Sequence, residues 1–322
     1  MTNAKLDILA IGNAIVDVVA PVDHAFLSRH DLHPGSMRLI DGTTAAALYA
    51  AMPPGQESSG GSAANTAAIA AMLGARAGFL GKVADDQLGT VFRHDITAVG
   101  VEFPSVPSRS GDPTASCLIL VTPDGQRTMN TFLGAAIEFS AKDIDPAVIA
   151  SAQIVYLEGY LFDPLEARAA FLAASHAARA ANRKVALSLS DAFCVERHRA
   201  ELRAFLKHVD ILFANETEIT SLYEVNSFEE AIEAARHDVK LAALTRSEAG
   251  SVIVHLNEAI SIDAVPPSEL VDSTGAGDAY AGGFLTAYTQ GKSLAECGAL
   301  ASRAASAVLS QYGARPAPSA FA

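Results

Sequence analysis

Short apolar runs rich in β-branched residues recur along the chain, and alanine-rich stretches with apolar positions three and four apart lie between many of them. The runs are DILAIG from Asp7, GFLGKV from Gly78, SCLILVT from Ser116, QIVYLEG from Gln153, KVALSLS from Lys184, VDILFAN from Val209, LAALTRS from Leu241 and SVIVHL from Ser251. Helical spacing holds over 65–73, 164–181, 199–206 and 228–235. Such alternation predicts an α/β fold: a doubly wound, mainly parallel sheet flanked by helices. Ligands of such sheets sit where the chain leaves the carboxyl ends of the strands. Two regions, 14–41 and 113–133, break the rhythm with short strands, and the second carries a hairpin signal at Pro123, Asp124 and Gly125. Together they are expected to form a small β layer over one end of the sheet, within a single domain spanning 1–322. The stretch PPGQESSGGSAAN at 53–65 is the one with the composition of a linker.

Charge narrows the partners. With 23 basic and 36 acidic residues the chain carries a net charge of -13, which argues against nucleic acid or an anionic membrane. A phosphorylated ligand must then be held locally, by helix N-termini, a cation or a few arginines. The three cysteines, Cys117, Cys194 and Cys297, are far apart and signal neither a disulfide framework nor a zinc site. The N-terminal apolar stretch is broken by Asp7 and Asp17, and no run is long enough to span a bilayer. A cytoplasmic protein, monomer or homodimer, is the expectation.

Candidate chemistry lies at the expected strand exits. In VDSTGAGDAYAGGFL, from Val271, a glycine turn runs into a helical pattern beginning near Gly275 or Ala276. Free amides of a first helical turn attract anions, and glycine lets a phosphate approach. Asp278 in that turn suits a helix cap, or a base that takes a hydroxyl proton beside an anion hole. In SSGGSAAN, Gly60 and Gly61 precede a helix starting near Ala63, with Asn65 placed to bond a polyol; a flexible linker is the alternative. Asn13 and Asp17 follow the first strand, and a carboxylate such as Asp17 suits vicinal hydroxyls, though a lone Asp after a strand is more often a turn residue. Asn215 and Glu218, one turn apart after a strand, suit water-mediated Mg²⁺ or a helix cap. A dinucleotide-binding dehydrogenase is disfavoured because GAGDAYAG misses the GxGxxG spacing.

Taken together, GGSAAN, GKVADDQLG at 81–89, NETE and DSTGAGD resemble the ribokinase-like, or phosphofructokinase B, family of carbohydrate and nucleoside kinases. Within it GNAIVDVVA and GQRTMNTFLGAA are most similar to the adenosine kinases. The resemblance implies a ribokinase-like fold with a small β-sheet lid, ATP and Mg²⁺ as cofactors, and a small-molecule nucleoside or sugar as acceptor. Its implied activity is transfer of phosphate to the 5′-hydroxyl of adenosine, giving AMP and ADP for purine salvage. A ribokinase- or fructokinase-type sugar kinase and an inosine–guanosine kinase are the alternatives; a non-catalytic nucleoside-binding protein is a remoter one.

By the same resemblance, Asp278 is the general base, Gly275, Ala276 and Gly277 form the anion hole, and Arg127 approaches the transferring phosphate. Asn13, Asp17, Gly61, Ser62 and Asn65 hold the ribose, while Met37, Leu39, Met129, Leu133 and Phe193 wall the base. Glu158 is reminiscent instead of the sugar contact of ribokinase. Asn215, Thr245, Ser247 and Gly250 face the donor nucleotide along with Gly275 and Gly277, and Asn215 and Glu218 reach Mg²⁺ through water. Asp272, Thr274 and Gly313 resemble a monovalent-cation site, taking K⁺.

Overall fold

Eight strands build the larger of two sheets: β1 (Leu6–Ile11), β5 (Ala77–Leu80), β8 (Ala152–Glu158), β9 (Lys184–Ser188), β10 (Ile211–Asn215), β11 (Leu241–Thr245), β12 (Ser251–His255) and β13 (Glu258–Ile262). The structure, a computed structural model, describes residues 4–316 and 318–321. Residues 1–3, 317 and 322 of the expected domain thus lie outside the described residues. The strand order is β13-β12-β11-β10-β9-β8-β1-β5. The six strands from β5 to β11 run parallel, and β12 and β13 return antiparallel at one edge. A second sheet has the order β3-β7-β6-β2-β4, from β2 (Ile15–Pro21), β3 (Met37–Leu39), β4 (Gln56–Gly60), β6 (Ala115–Val121) and β7 (Arg127–Phe132).

The helices are α1 (His24–Arg29), α2 (Gly42–Ala51), α3 (Ser62–Met72), α4 (Gln87–Ala98), α5 (Pro146–Ala150), α6 (Leu165–Ala180), α7 (Ala192–Phe205), α8 (Glu216–Tyr223), α9 (Phe228–Asp238), α10 (Ala276–Thr289) and α11 (Leu294–Leu309). Strand alternation sends Ile8, Ala10, Tyr156 and Phe213 to one face, where they pack with α3 and α10 through residues such as Ala67 and Phe284. Leu9, Ile11, Val155 and Leu157 go to the other, against Phe171 of α6 and Leu202 of α7. Both faces are covered, as a central parallel sheet requires. Each fully buried Phe or Leu contributes about 1.5–3 kcal/mol. Val16, Val18, Leu118 and Leu120 of the second sheet belong to the same core as Phe284, so the two sheets share one apolar seam.

Two local expectations need correction. The linker-like stretch 53–65 contains edge strand β4 and the start of α3. Its polar composition suits an edge strand, which is not buried on both sides. Helix α7 begins at Ala192, well before 199, because Asp191 caps it by accepting the Phe193 amide at 2.6 Å. A kink at His198 then divides that helix, so the apolar spacing is continuous only in its second half. Helix α3 starts at Ser62, near the expected Ala63, with Gly61 at φ 96° as its N-cap. No helix among the described residues is long and apolar enough to cross a membrane.

Candidate active site

Helix α10 starts at Ala276 because Gly275 turns the chain at φ 80°, a left-handed conformation that favours glycine. A side chain at Gly275 would also overlap Ala314. The first helical bond runs from the Ala279 amide to the Gly275 carbonyl at 2.8 Å, and the Ala276 amide donates to Ser273 at 3.3 Å. Among the described residues, the amides of Gly275, Gly277 and Asp278 have no protein acceptor. Open space surrounds the position where a Cβ of Gly277 would stand. This is an uncapped, sterically open helix start carrying partial positive charge. Of the three expected anion-hole residues, Ala276 is thus the one whose amide is partly engaged.

The Asp278 carboxylate does not cap its own helix. Its Oδ1 accepts from the Ser62 hydroxyl at 2.6 Å and its Oδ2 from the Asn65 amide at 3.2 Å, both on α3. Burial pushes this carboxyl up to about 6, against the opposing effect of those two donors and of the Arg315 charge. Ser62 and Asn65, each more than 200 positions before Asp278 in sequence, therefore meet it at one point. Gly61 brings α3 close to the Asn13 carbonyl, where any side chain would collide.

Glu158 stands behind this cluster and is almost fully buried. Its Oε1 accepts from the backbone and side-chain amides of Asn13 at 3.1 and 2.8 Å, and its Oε2 from the Ala63 amide at 2.7 Å. Burial pushes it up to about 7. Glu158 thus ties β1's exit to the α3 N-terminus through three protein donors, a structural role beside the expected sugar contact. Asn13 keeps its Oδ1 buried and unpartnered among the described residues.

Cross-strand register defines the open face of the second sheet. Asp17, Cys117, Thr131 and Leu39 are paired in one row across β2, β6, β7 and β3, and Val19, Ile119, Met129 and Met37 in the next. Paired residues share a face, and Arg127 lies on it too, opposite Val121. The face therefore presents a mostly apolar surface on which Met37 and Leu39 are 58% and 64% exposed. Asp17 is the carboxylate within it, lying inside β2 and not after a strand; it packs against Gly60, where a Cβ would strike it. Among the described residues no protein donor bonds Asp17, and burial raises it to about 6 despite the Arg315 and Arg127 charges. Leu133 follows β7, half-buried, at the N-cap of a short 3₁₀ turn. Phe193 is 71% exposed at the start of α7, outside these rows.

Arg127 departs from its expected place. Its Nη1 is paired with Asp272 Oδ2, in the loop before α10, and not free to face a phosphate. Asp272 also receives Gly313 N–H on Oδ2 at 2.9 Å and Thr274 N–H and Oγ1–H on Oδ1 at 3.0 and 2.7 Å. Burial raises this carboxyl, but the Gly313 and Thr274 hydrogen bonds and the Arg127 charge outweigh it and leave it below the ordinary value. With four protein donors filling the carboxylate, and Gly313 turning its N–H toward it, these residues do not fit a K⁺ site.

Asn215 and Glu218 form a reciprocal cap on α8: Asn215 Oδ1 accepts the Glu218 amide at 2.8 Å, and Glu218 accepts the Asn215 backbone amide at 3.0 Å and side-chain amide at 2.6 Å. Burial, with Asp191 and Asp278 adding repulsion, pushes Glu218 up to about 7. Each Glu218 oxygen retains a lone pair, and a cation nearby would relieve the crowded carboxylates. The residues fit a water-mediated divalent ion. Thr245 is paired with Asn215 at the adjoining strand end. Ser247 and Gly250 shape the next turn at φ 51° and 81°.

One residue escaped the sequence reading. Arg315, the lone charged side chain in 304–322, is largely buried beside α3. Its Nε donates to Asn65 Oδ1 at 2.8 Å and its Nη1 to Ser59 Oγ at 2.5 Å, with Asp95 at 3.5 Å. An isolated arginine in a stretch of small and apolar residues was the available signal.

Comparison with known proteins agrees with this geometry. Residues 45–320 match the pfkB family carbohydrate kinase model. The chain is 28% identical to adenosine kinase 2 of Arabidopsis thaliana over 316 residues, 90% of each protein. The solved adenosine kinase of Sinorhizobium meliloti superposes with a TM-score of 0.88 at 48% identity, covering 97% of this chain and 96% of that one. A probable sugar kinase protein from Rhizobium etli CFN 42 superposes at 0.90 and 45% identity, covering 99% and 97%. The chain belongs to the pfkB family of carbohydrate kinases: it is an adenosine kinase-like phosphotransferase that uses ATP to phosphorylate a hydroxyl of a nucleoside or sugar.

Proposed function

We propose that this pfkB-family kinase phosphorylates the 5′-hydroxyl of adenosine, producing AMP and ADP. The observation that carries the choice of acceptor is the open face of the second sheet. There Asp17, with no donor among the described residues, lies beside the apolar row Val19, Ile119, Met129 and Met37. A carboxylate can accept two vicinal ribose hydroxyls, while the row offers a purine the apolar wall that a free sugar does not need. Glu158, the residue reminiscent of a sugar kinase, already accepts three protein donors, from the Asn13 backbone and side chain and the Ala63 backbone.

In this mechanism the 5′-oxygen attacks the γ-phosphorus in line, the bond to the ADP oxygen breaks, and the hydroxyl proton passes to Asp278. The second lone pairs of the Asp278 oxygens remain for that hydroxyl. Unpaired amides at the α10 start stabilise the transferring group. Arg127 joins them only when the phosphate displaces Asp272 from its guanidinium. Asn215 and Glu218 would hold Mg²⁺ through water, which neutralises phosphate charge when bound. The second sheet acts as the lid, excluding water from the transfer.

Two measurements test the proposal. Asp278→Asn is expected to fold and bind ATP but to lose about 10²–10⁴-fold in turnover, the range for a general base; near-wild-type turnover rejects Asp278 as the base. Across adenosine, inosine, guanosine, ribose and fructose, adenosine should have the highest kcat/KM. The Rhizobium etli protein is described as a probable sugar kinase, so ribose ranking above adenosine would transfer the assignment to that class.

A further inference from the structure

Arg315 lies where none of the phosphate or acceptor groups requires it, yet it reaches the candidate base through one intermediary. Asn65 accepts from Arg315 Nε on its Oδ1 and donates from its Nδ2 to Asp278 Oδ2. A guanidinium can only donate, and an amide has one accepting and one donating end. Arg315 thus dictates which end of Asn65 looks at Asp278. Without it, a flipped amide would turn its oxygen onto the carboxylate. Arg315 is itself fixed by Ser59 and Asp95, which are joined through the Ser59 hydroxyl at 2.5 Å and backbone amide at 2.8 Å. Its Nη2 is buried without a partner among the described residues.

We propose that Arg315 is a positioning residue for phosphoryl transfer, holding the Asn65 amide so that it donates to Asp278 and setting a positive charge beside that carboxylate. This rests on the reading of Asp278 as the base. The groups acting on Asp278 come from each neighbouring element: Ser62 and Asn65 of α3, Tyr156 and Glu158 of β8, Tyr160 just after it, Glu218 of α8, and Arg315. The tyrosines are neutral at physiological pH, their hydroxyls raised further by burial. Arg315 supplies the positive charge that offsets the carboxylates, and it lowers both Asp278 and Asp17. Burial pulls Arg315 itself down, while Asp95, Asp17 and Asp278 hold it charged.

The test compares Arg315→Met, Arg315→Lys and Asp278→Asn with the wild type, reading thermal melting and adenosine phosphorylation from pH 5 to 9. Arg315→Met is expected to lose about 100-fold in kcat through misplacement of the base and to move the acid limb of the pH profile up by about one unit. Arg315→Lys keeps the charge but not the planar grip, so it should restore the limb while recovering only part of kcat. If Arg315→Met does not fold, Arg315→Lys decides: lowered kcat with an unmoved limb supports the lock, and wild-type kcat overturns it. A folded Arg315→Met with unchanged kcat and limb, or one altered in melting alone, overturns the proposal while loss of turnover in Asp278→Asn leaves the base standing. Retained turnover in Asp278→Asn removes the base and this inference with it.

Discussion

At the scale of single residues, Asp17, Glu158, Glu218 and Asp278 share a direction: burial holds each above its ordinary value. Such a carboxyl keeps its proton in the folded chain after the unfolded chain has lost it. Its stabilisation is therefore complete below the unfolded value near 4 and drains away as pH rises to the folded value, about 6 for Asp278. Asp278→Asn removes that drain, since an amide can accept from Asn65 and donate to Ser62. The variant should melt about 2–4 °C above wild type at pH 8, with the gap closing by pH 4; calorimetry at both values checks this, and equal melting at pH 8 would mean that the buried charge carries no cost. Residue types and spacing made Asp278, Asn65 and Ser62 legible as candidates. Whether Asp278 capped its helix or faced another was not legible, because the partners lie more than 200 positions away and only the packing of α3 on α10 brings them together.

At the scale of elements, α10 separates two glycines that the sequence leaves alike. Gly275 adopts a left-handed turn against Ala314, whereas Gly277 borders open space. Gly275→Ala should destabilise by more than about 2 kcal/mol, from backbone strain and overlap. Gly277→Ala should leave melting unchanged or slightly raised, because alanine favours helices, yet lower kcat/KM for ATP about tenfold or more by crowding the amides. Equal melting losses in both would contradict this division of roles. The apolar runs announced β1, β5 and β8–β12 of the larger sheet because burial on two faces leaves a continuous apolar signature, and β6 because its open face is apolar too. Edge strand β4 carries none, since Ser59 turns to Asp95 and Arg315 and Gly60 yields room to Asp17.

At the scale of the whole molecule, alternation predicts layers but not strand order, which depends on crossovers between distant segments. That β1 lies between β8 and β5 emerges only from the folded chain. The Arg127–Asp272 pair spans from the second sheet to the loop before α10, and Gly125 of the β6–β7 turn sits near the Tyr312 hydroxyl. Arg127→Gln should speed hydrogen exchange at 121–127 about tenfold, as a local opening loses its tie; unchanged protection there would show that the pair does not hold the sheet down. The cysteines have a practical consequence. All three are buried, and burial pushes their thiols up to about 12 for Cys117 and Cys194 and about 11 for Cys297. Thiolate is the reactive form, so the native chain is a quiet background for maleimide chemistry. A single Gln126→Cys replacement at the exposed turn would accept one dye, and its fluorescence could follow the movement of the second sheet during turnover without removing any native thiol.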